Sequence, residues 1–169
     1  MNKKVNKSNE LTAYSACFNS QILNPQFRKI ILAAMVLLFS YSAEAQVSGI
    51  LGEWKTVDDK SGEIRSLVRI YQDTADGLYY GKIEKLYEYA DAVCDKCEGE
   101  NKNKPILGMV IITGMKAEGD ALKRGTILDP ENGKKYYASI SIDRKTEKLV
   151  IRGSLDKRGL FGRNQYWIK

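Results

Sequence analysis

The sequence predicts an all-β fold: a small eight-stranded antiparallel up-and-down barrel preceded by a cleaved signal peptide. Three observations carry that expectation. From Ile50 onward apolar and polar residues alternate with a period of two, the pattern of strands with one buried face. Short clusters of Asp, Asn, Gly and Pro interrupt the alternation, so consecutive strands are expected to pair as hairpins. Upstream, Ile30 to Phe39 is an unbroken apolar run behind Arg28 and Lys29, ending in Ser42-Ala43-Glu44-Ala45. Charge, then apolar run, then small residues is the order of a secretory signal, with Ala43-x-Ala45 as its cleavage site.

The leader is read as residues 1–45 and the barrel domain as 46–169. Ten strongly apolar residues are too few for a membrane span, which needs about 20. Small residues follow the run where an anchor would carry basic ones, so no stable span is expected after cleavage. The polar stretch Met1 to Phe27 is long for the start of a signal, and Cys17 has no apolar run before it, which argues against lipid attachment. Export implies a periplasmic or secreted protein in an oxidising compartment.

Eight strands are expected, at about 51–57, 63–72, 78–87, 106–115, 122–128, 134–143, 148–155 and 163–169. The second is the clearest: Ile64, Ser66, Val68 and Ile70 share one face, Arg65, Leu67, Arg69 and Tyr71 the other. The sixth alternates alike, with Tyr136, Ala138, Ile140 and Ile142 against Tyr137, Ser139 and Ser141. Asp58-Asp59-Lys60-Ser61-Gly62, Asp76-Gly77 and Asp129-Pro130-Glu131-Asn132-Gly133 supply turn chemistry. Asp143 to Glu147 reads as a longer hairpin loop. The one long connection is Glu88 to Pro105. A barrel is preferred to a sandwich because closure removes sheet edges.

Composition narrows function by exclusion. Removing 45 of 169 residues leaves 124, one domain's length. Five of the 27 basic and two of the 21 acidic residues fall in the leader, which leaves 22 against 19, a net charge of +3. So mild a balance argues against a nucleic-acid partner, which needs a clustered basic face. The chain has no histidine, so Ser-His-Asp and Cys-His nucleophiles and imidazole metal sites are excluded. No catalytic constellation, metal site or cofactor is indicated.

Several residues could carry chemistry. Cys94-x-x-Cys97 is read as a structural disulfide pinning the long loop. A redox dithiol or half of a shared zinc site are the alternatives, with Asp95, Glu98 and Glu100 disfavouring thiolate. Asp58-Asp59-x-x-Gly62-Glu63 faintly resembles a calcium loop but lacks its acidic spacing, so an Asx-stabilised hairpin turn is expected. Arg65, Arg69 and Arg152 lie mid-strand. Were they to face a cavity, with Tyr80 beside them, their guanidinium groups would suit an acidic or amphipathic small ligand. The bland alternative is an outward face, or pairing with Glu63 or Glu84.

Gly52-Glu53-Trp54 resembles the Gly-x-Trp signature of lipocalin-type barrels. That resemblance implies that Trp54 closes one end of the barrel and stacks on an arginine of the last strand, here Arg163, with Trp167 also taking part in closure. A wider series is more specific. Gly52-x-Trp54, Asp58-Asp59-x-x-Gly62, Arg65-Ser66, Tyr80-Gly81-Lys82-Ile83, Cys94-x-x-Cys97 and Pro105-Ile106-x-Gly108-Met109 occur in order. Ile127-Leu128-Asp129-Pro130-x-Asn132-Gly133-Lys134, Arg152-Gly153 and Phe161-Gly162-Arg163-x-Gln165-x-Trp167 follow. Together they resemble the bacterial exported family known as domain of unknown function 2147. Members often carry an aromatic just before the Gly125 region, where this chain has Leu122. The resemblance implies a β-rich exported domain and assigns no activity.

The leading expectation is a non-enzymatic envelope barrel that holds a small ligand. A filled barrel acting as an interaction protein, or a thiol–disulfide protein, are the alternatives.

Overall fold

A computed structural model describes residues 47–169 of the chain; the expected leader and its cleavage site lie outside them. A short 3-10 helix, Ser48–Ile50, leads into eight strands. They are β1 (Gly52–Val57), β2 (Ile64–Gln72), β3 (Tyr79–Leu86), β4 (Val110–Glu118), β5 (Ala121–Asp129), β6 (Lys134–Ile142), β7 (Leu149–Ser154) and β8 (Gly162–Trp167). Each pairs antiparallel with the next in the order β1 to β8. One further bridge, Lys55 to Ile168, brings β1 back to the end of β8. The Lys55 N–H donates to the Ile168 carbonyl at 2.7 Å, and the Ile168 N–H donates to the Lys55 carbonyl at 3.0 Å. The result is a nearly closed lipocalin-like barrel.

Alternation decides which side chains fill it. Ser66, Val68 and Ile70 of β2 are buried while Arg69 is exposed; Ile140 and Ala138 of β6 are buried while Tyr137 is exposed. Turn aspartates organise the hairpins as expected: Asp58 Oδ1 accepts from the backbone N–H of Lys60 and Ser61 at 2.9 and 2.8 Å. Asp129 and Asp143 accept likewise from Glu131 and Lys145. The calcium-like Asp58-Asp59 segment is therefore an Asx turn.

The fourth strand departs from the sequence reading, starting at Val110 instead of about 106. Gly108 sits at φ +84, and its N–H donates to the Ile83 carbonyl at 2.9 Å while the Ile106 N–H donates to Ala92. Those bonds hold 106–109 as the end of the long loop. The strand instead runs to Glu118 and turns through Gly119 and Asp120 into β5. Gly119, at φ +63, supplies the positive φ that a two-residue hairpin opening on Gly requires.

The two ends of the barrel differ. At the end holding the 3-10 helix, Trp54, Ile70, Leu122, Ile140 and Leu149 are fully buried and fill the interior with close-packed side chains. A Cβ added to Gly49 of that helix would lie 3.0 Å from Ile142 Cδ1 of β6, so the helix seats directly on the sheet. The opposite end carries the β1–β2, β3–β4, β5–β6 and β7–β8 connections, and there the interior opens.

Candidate functional site

At that open end the barrel encloses a cavity of about 580 Å³, within the size range of small-molecule sites. Every strand contributes to its wall. The order along β8 gives its depth: Arg163 lies at the mouth, Gln165 below it and Trp167 towards the packed end, all three lining the space. Ile83, Ile111, Ile127 and Ile151 make the walls apolar. Gly153 of β7 leaves room: a Cβ there would meet nothing closer than Tyr136 Cβ at 3.6 Å.

The rim is charged. Asp58, Asp59, Glu88, Asp129 and Glu131 line it against Lys60, Arg65 and Arg163. Arg65 reaches the rim because of a β-bulge. Thr56 pairs with Ser66 and Val57 with Ile64, leaving Arg65 as the extra residue, and such an insertion re-aims a side chain. Arg65 Nη1 donates to Glu88 at 2.7 Å, with Asp58 and Glu63 each 3.7 Å from Nη2. Burial works against its charge, but Glu88, then Asp58, Glu63 and Glu131, outweigh it and raise its pKa above the usual value. Asp58 is held below the usual carboxylate range, chiefly by the N–H groups of Ser61 and Lys60, with Arg65 adding to them.

The remaining sequence candidates lie elsewhere. Arg69 points outward, bonded to Glu84 at 2.6 Å and Glu53 at 2.5 Å. Arg152 is outside as well: Nε and Nη2 donate to the Gly159 carbonyl at 2.9 and 2.6 Å, and Nη1 to Asn164. Tyr80 stacks with Tyr71 at 6.1 Å and donates to Asp76 at 2.6 Å on the outer surface. A period-two pattern names two faces without saying which is enclosed, and these three fall on the solvated one.

Arg163 does not stack on Trp54. It stands at the opposite end of the barrel, 3.7 Å from Asp59 and 3.9 Å from Asp129. The cation over the Trp54 ring is Lys169, 4.2 Å from the centroid. The reason is register: β8 runs from the mouth to the packed end, so its first residues rim the cavity and its last reach Trp54. Trp54 Nε1 donates to the Ile50 carbonyl at 2.8 Å. Trp167 is buried and lines the deeper cavity. Its Nε1, like Arg65 Nε, is a buried donor without an acceptor among the described residues.

Cys94 and Cys97 form a disulfide, with 0% and 1% of their surface exposed. The loop they close abuts the β5–β6 turn, where Lys96 Nζ donates to the Glu131 carbonyl at 3.0 Å. Gly133, at φ +73, lies so close that a Cβ there would be 2.0 Å from the Lys96 carbonyl oxygen. Glu88, Tyr89, Ala92 and Ile106 of the same long connection form one side of the mouth. The disulfide thus braces a wall of the cavity. Sequence reasoning missed Gly153 and Gln165 as cavity residues; the Arg152-Gly153 and Gln165-x-Trp167 pairs hold them, but no chemistry marks them.

This geometry defines a lipocalin-like barrel with one open end. Residues 52–169 match the family described as "uncharacterized protein conserved in bacteria", domain of unknown function 2147, and the chain belongs to it. Among solved structures it is similar to a Helicobacter pylori protein described as belonging to the lipocalin family. The TM-score is 0.60 at 19% identity, over 70% of this chain and 81% of that one. No curated protein matches it.

Proposed function

We propose that this protein is a non-enzymatic carrier that encloses one small amphipathic molecule in the open end of its barrel. The cavity of about 580 Å³ carries the proposal. Its isoleucine walls suit an apolar body, and its charged rim suits a polar end that stays near water. The likeness to a lipocalin-family structure supports the architecture alone. The export reading rests on the leader sequence, which would deliver the carrier to the periplasm or beyond. No helix among the described residues is long and apolar enough to cross a membrane. Native mass spectrometry of protein purified gently from its own host tests the carrier reading. The expected spectrum shows an adduct released on denaturation; a mass equal to the bare polypeptide in every preparation counts against it.

A second reading has its own observation. Leu155, Leu160 and Phe161 of the β7–β8 loop are exposed, although Asp156 accepts from the N–H groups of Leu160 and Phe161 at 3.1 and 2.8 Å. A loop held by such bonds presents its apolar side chains by construction, which supports an interaction surface beside the mouth. Crosslinking in cells, compared with a Phe161→Ala variant, separates this from carriage alone. The burial of both cysteines favours a structural bridge over redox exchange, which needs an accessible thiolate.

A further inference from the structure

We infer that the β7–β8 loop docks this protein on an anionic phospholipid surface, its apolar tips entering the headgroup layer and its flanking cations meeting lipid phosphates. The inference rests on the interaction reading of that loop and names its partner. Leu155, Leu160 and Phe161 are 72%, 68% and 73% exposed, an apolar surface that costs free energy until something covers it. The tips stand out because the loop backbone is closed on itself. The Leu155 N–H donates to the Phe161 carbonyl at 3.0 Å, and the Gly159 N–H to the Asp156 carbonyl at 3.1 Å. Arg152 Nε and Nη2 both donate to the Gly159 carbonyl, and Ser154 Oγ donates to the Asp156 carbonyl at 2.9 Å. A loop preorganised in this way loses little conformational freedom on docking.

Charge selects the partner. Lys157 and Arg158 belong to the same loop and are exposed. Lys134 and Lys135 of β6 line one shallow depression together with Leu155. Lys157 Nζ stands 5.9 Å from the ring centroid of Tyr137, itself exposed. Three apolar tips thus sit among four cations, none of which enters an ion pair among the described residues. Glu98 lines that depression too and offsets one of the four. Other acids nearby are engaged: Asp156 by the loop's own N–H groups, Asp58 and Glu88 by Arg65, Asp59 and Asp129 by Arg163. A protein partner would need acids placed to match this pattern. A bilayer needs no match, since apolar tips enter its interface and diffuse negative charge attracts each cation separately. Phe161 precedes Gly162 and Arg163 in the chain, so docking brings the open end of the barrel to the lipid.

The test is co-sedimentation of the protein, purified as its host processes it, with vesicles of phosphatidylglycerol and phosphatidylethanolamine or of phosphatidylcholine alone. Binding to the anionic vesicles should be about tenfold tighter and should weaken as salt is raised. Lys157→Ala/Arg158→Ala should weaken it about twentyfold, and Phe161→Asp about tenfold. These positions are exposed, so circular dichroism should not change. A Phe161→Trp variant reports depth: its added emission should shift to the blue on anionic vesicles and be quenched by brominated acyl chains. Equal affinity for both kinds of vesicle, or an unshifted and unquenched signal from that variant, overturns the inference. So does an absence of vesicle binding; if crosslinks in cells to a protein or a second copy then disappear in Phe161→Ala, the interaction reading stands without it. If those crosslinks are unchanged by Phe161→Ala as well, both readings fall.

Discussion

Lys169 Nζ lies 4.2 Å from the ring centroid of Trp54, and the same indole donates at 2.8 Å to the Ile50 carbonyl. One tryptophan thus ties the chain's last residue and the 3-10 helix to the packed end of the barrel. Trp54→Phe keeps most of the apolar volume but strands a buried carbonyl, and should lower unfolding free energy by about 1–3 kcal/mol. Lys169→Ala, at a partly exposed site, should cost about 0.5–1 kcal/mol. Urea denaturation of both variants checks the ranking; equal losses would mean that the hydrogen bond contributes little.

Gly133→Ala should be among the more damaging single-methyl changes in the protein. The position needs φ +73, and the added Cβ would fall 2.0 Å from the Lys96 carbonyl oxygen and 2.8 Å from the Cys97 nitrogen. Backbone on both sides cannot yield like a flexible side chain. A loss above about 2 kcal/mol is expected, with the Cys94–Cys97 loop detached from the β5–β6 turn. Hydrogen exchange in 94–104 should rise in the variant, while the amides of the β6–β7 pair keep their protection.

The Cys94–Cys97 bridge closes a very short loop, with a sequence separation of 3. Chain entropy for so small a ring limits its contribution to about 2 kcal/mol. A Cys94→Ser/Cys97→Ser variant should therefore fold, with a lower thermal midpoint and a weakened cavity wall. Complete unfolding at room temperature would show that the bridge does more than brace a loop.

Acid should act through the turn aspartates. Asp58, Asp143 and Asp156 are lowered from 3.8, each first by a backbone N–H, of Ser61, Lys145 and Phe161 respectively. Asp76 is lowered first by the Tyr80 hydroxyl. A depressed folded pKa stabilises the fold above the unfolded value and loses that stabilisation as pH falls through the folded one. Stability from these groups should hold down to about pH 4 and decline below it. Asp156→Asn should flatten part of that decline, read as urea midpoints against pH.

Much of the architecture was legible because a barrel strand must alternate to bury one face, as β6 does from Tyr136 to Ile140 and β2 does from Ser66 to Ile70. The Asp-led turns were legible for a related reason: their carboxylates bond their own backbone, so the signal is local. The start of β4 was not. Ile106 and Met109 are apolar in either role, and only the bonds of Gly108 and Ile106 to Ile83 and Ala92 decide for loop. The site was harder still. Arg65 and Arg69 share a strand face in the sequence, yet one extra residue opposite Thr56 and Val57 sends Arg65 to the rim and leaves Arg69 outside. Arg163 and Lys169 are both cations near the end of the chain. Which one meets Trp54 depends on the direction in which β8 runs relative to β1, a non-local fact. The unmet donor of Trp167 is visible only once its neighbours are in place.

The most direct test of the account compares the unaltered domain with Gly153→Phe. Gly153 lines the cavity, and a side chain built there meets only ordinary contacts at first, with Tyr136 Cβ at 3.6 Å, so the ring can grow into the empty space. Titration with N-phenylnaphthylamine should give saturable fluorescence enhancement for the unaltered domain. Affinity should be at least about tenfold weaker for the plugged variant, with unchanged circular dichroism. Equal binding by both proteins, or none by either, would contradict the claim that the open end of this barrel holds a ligand.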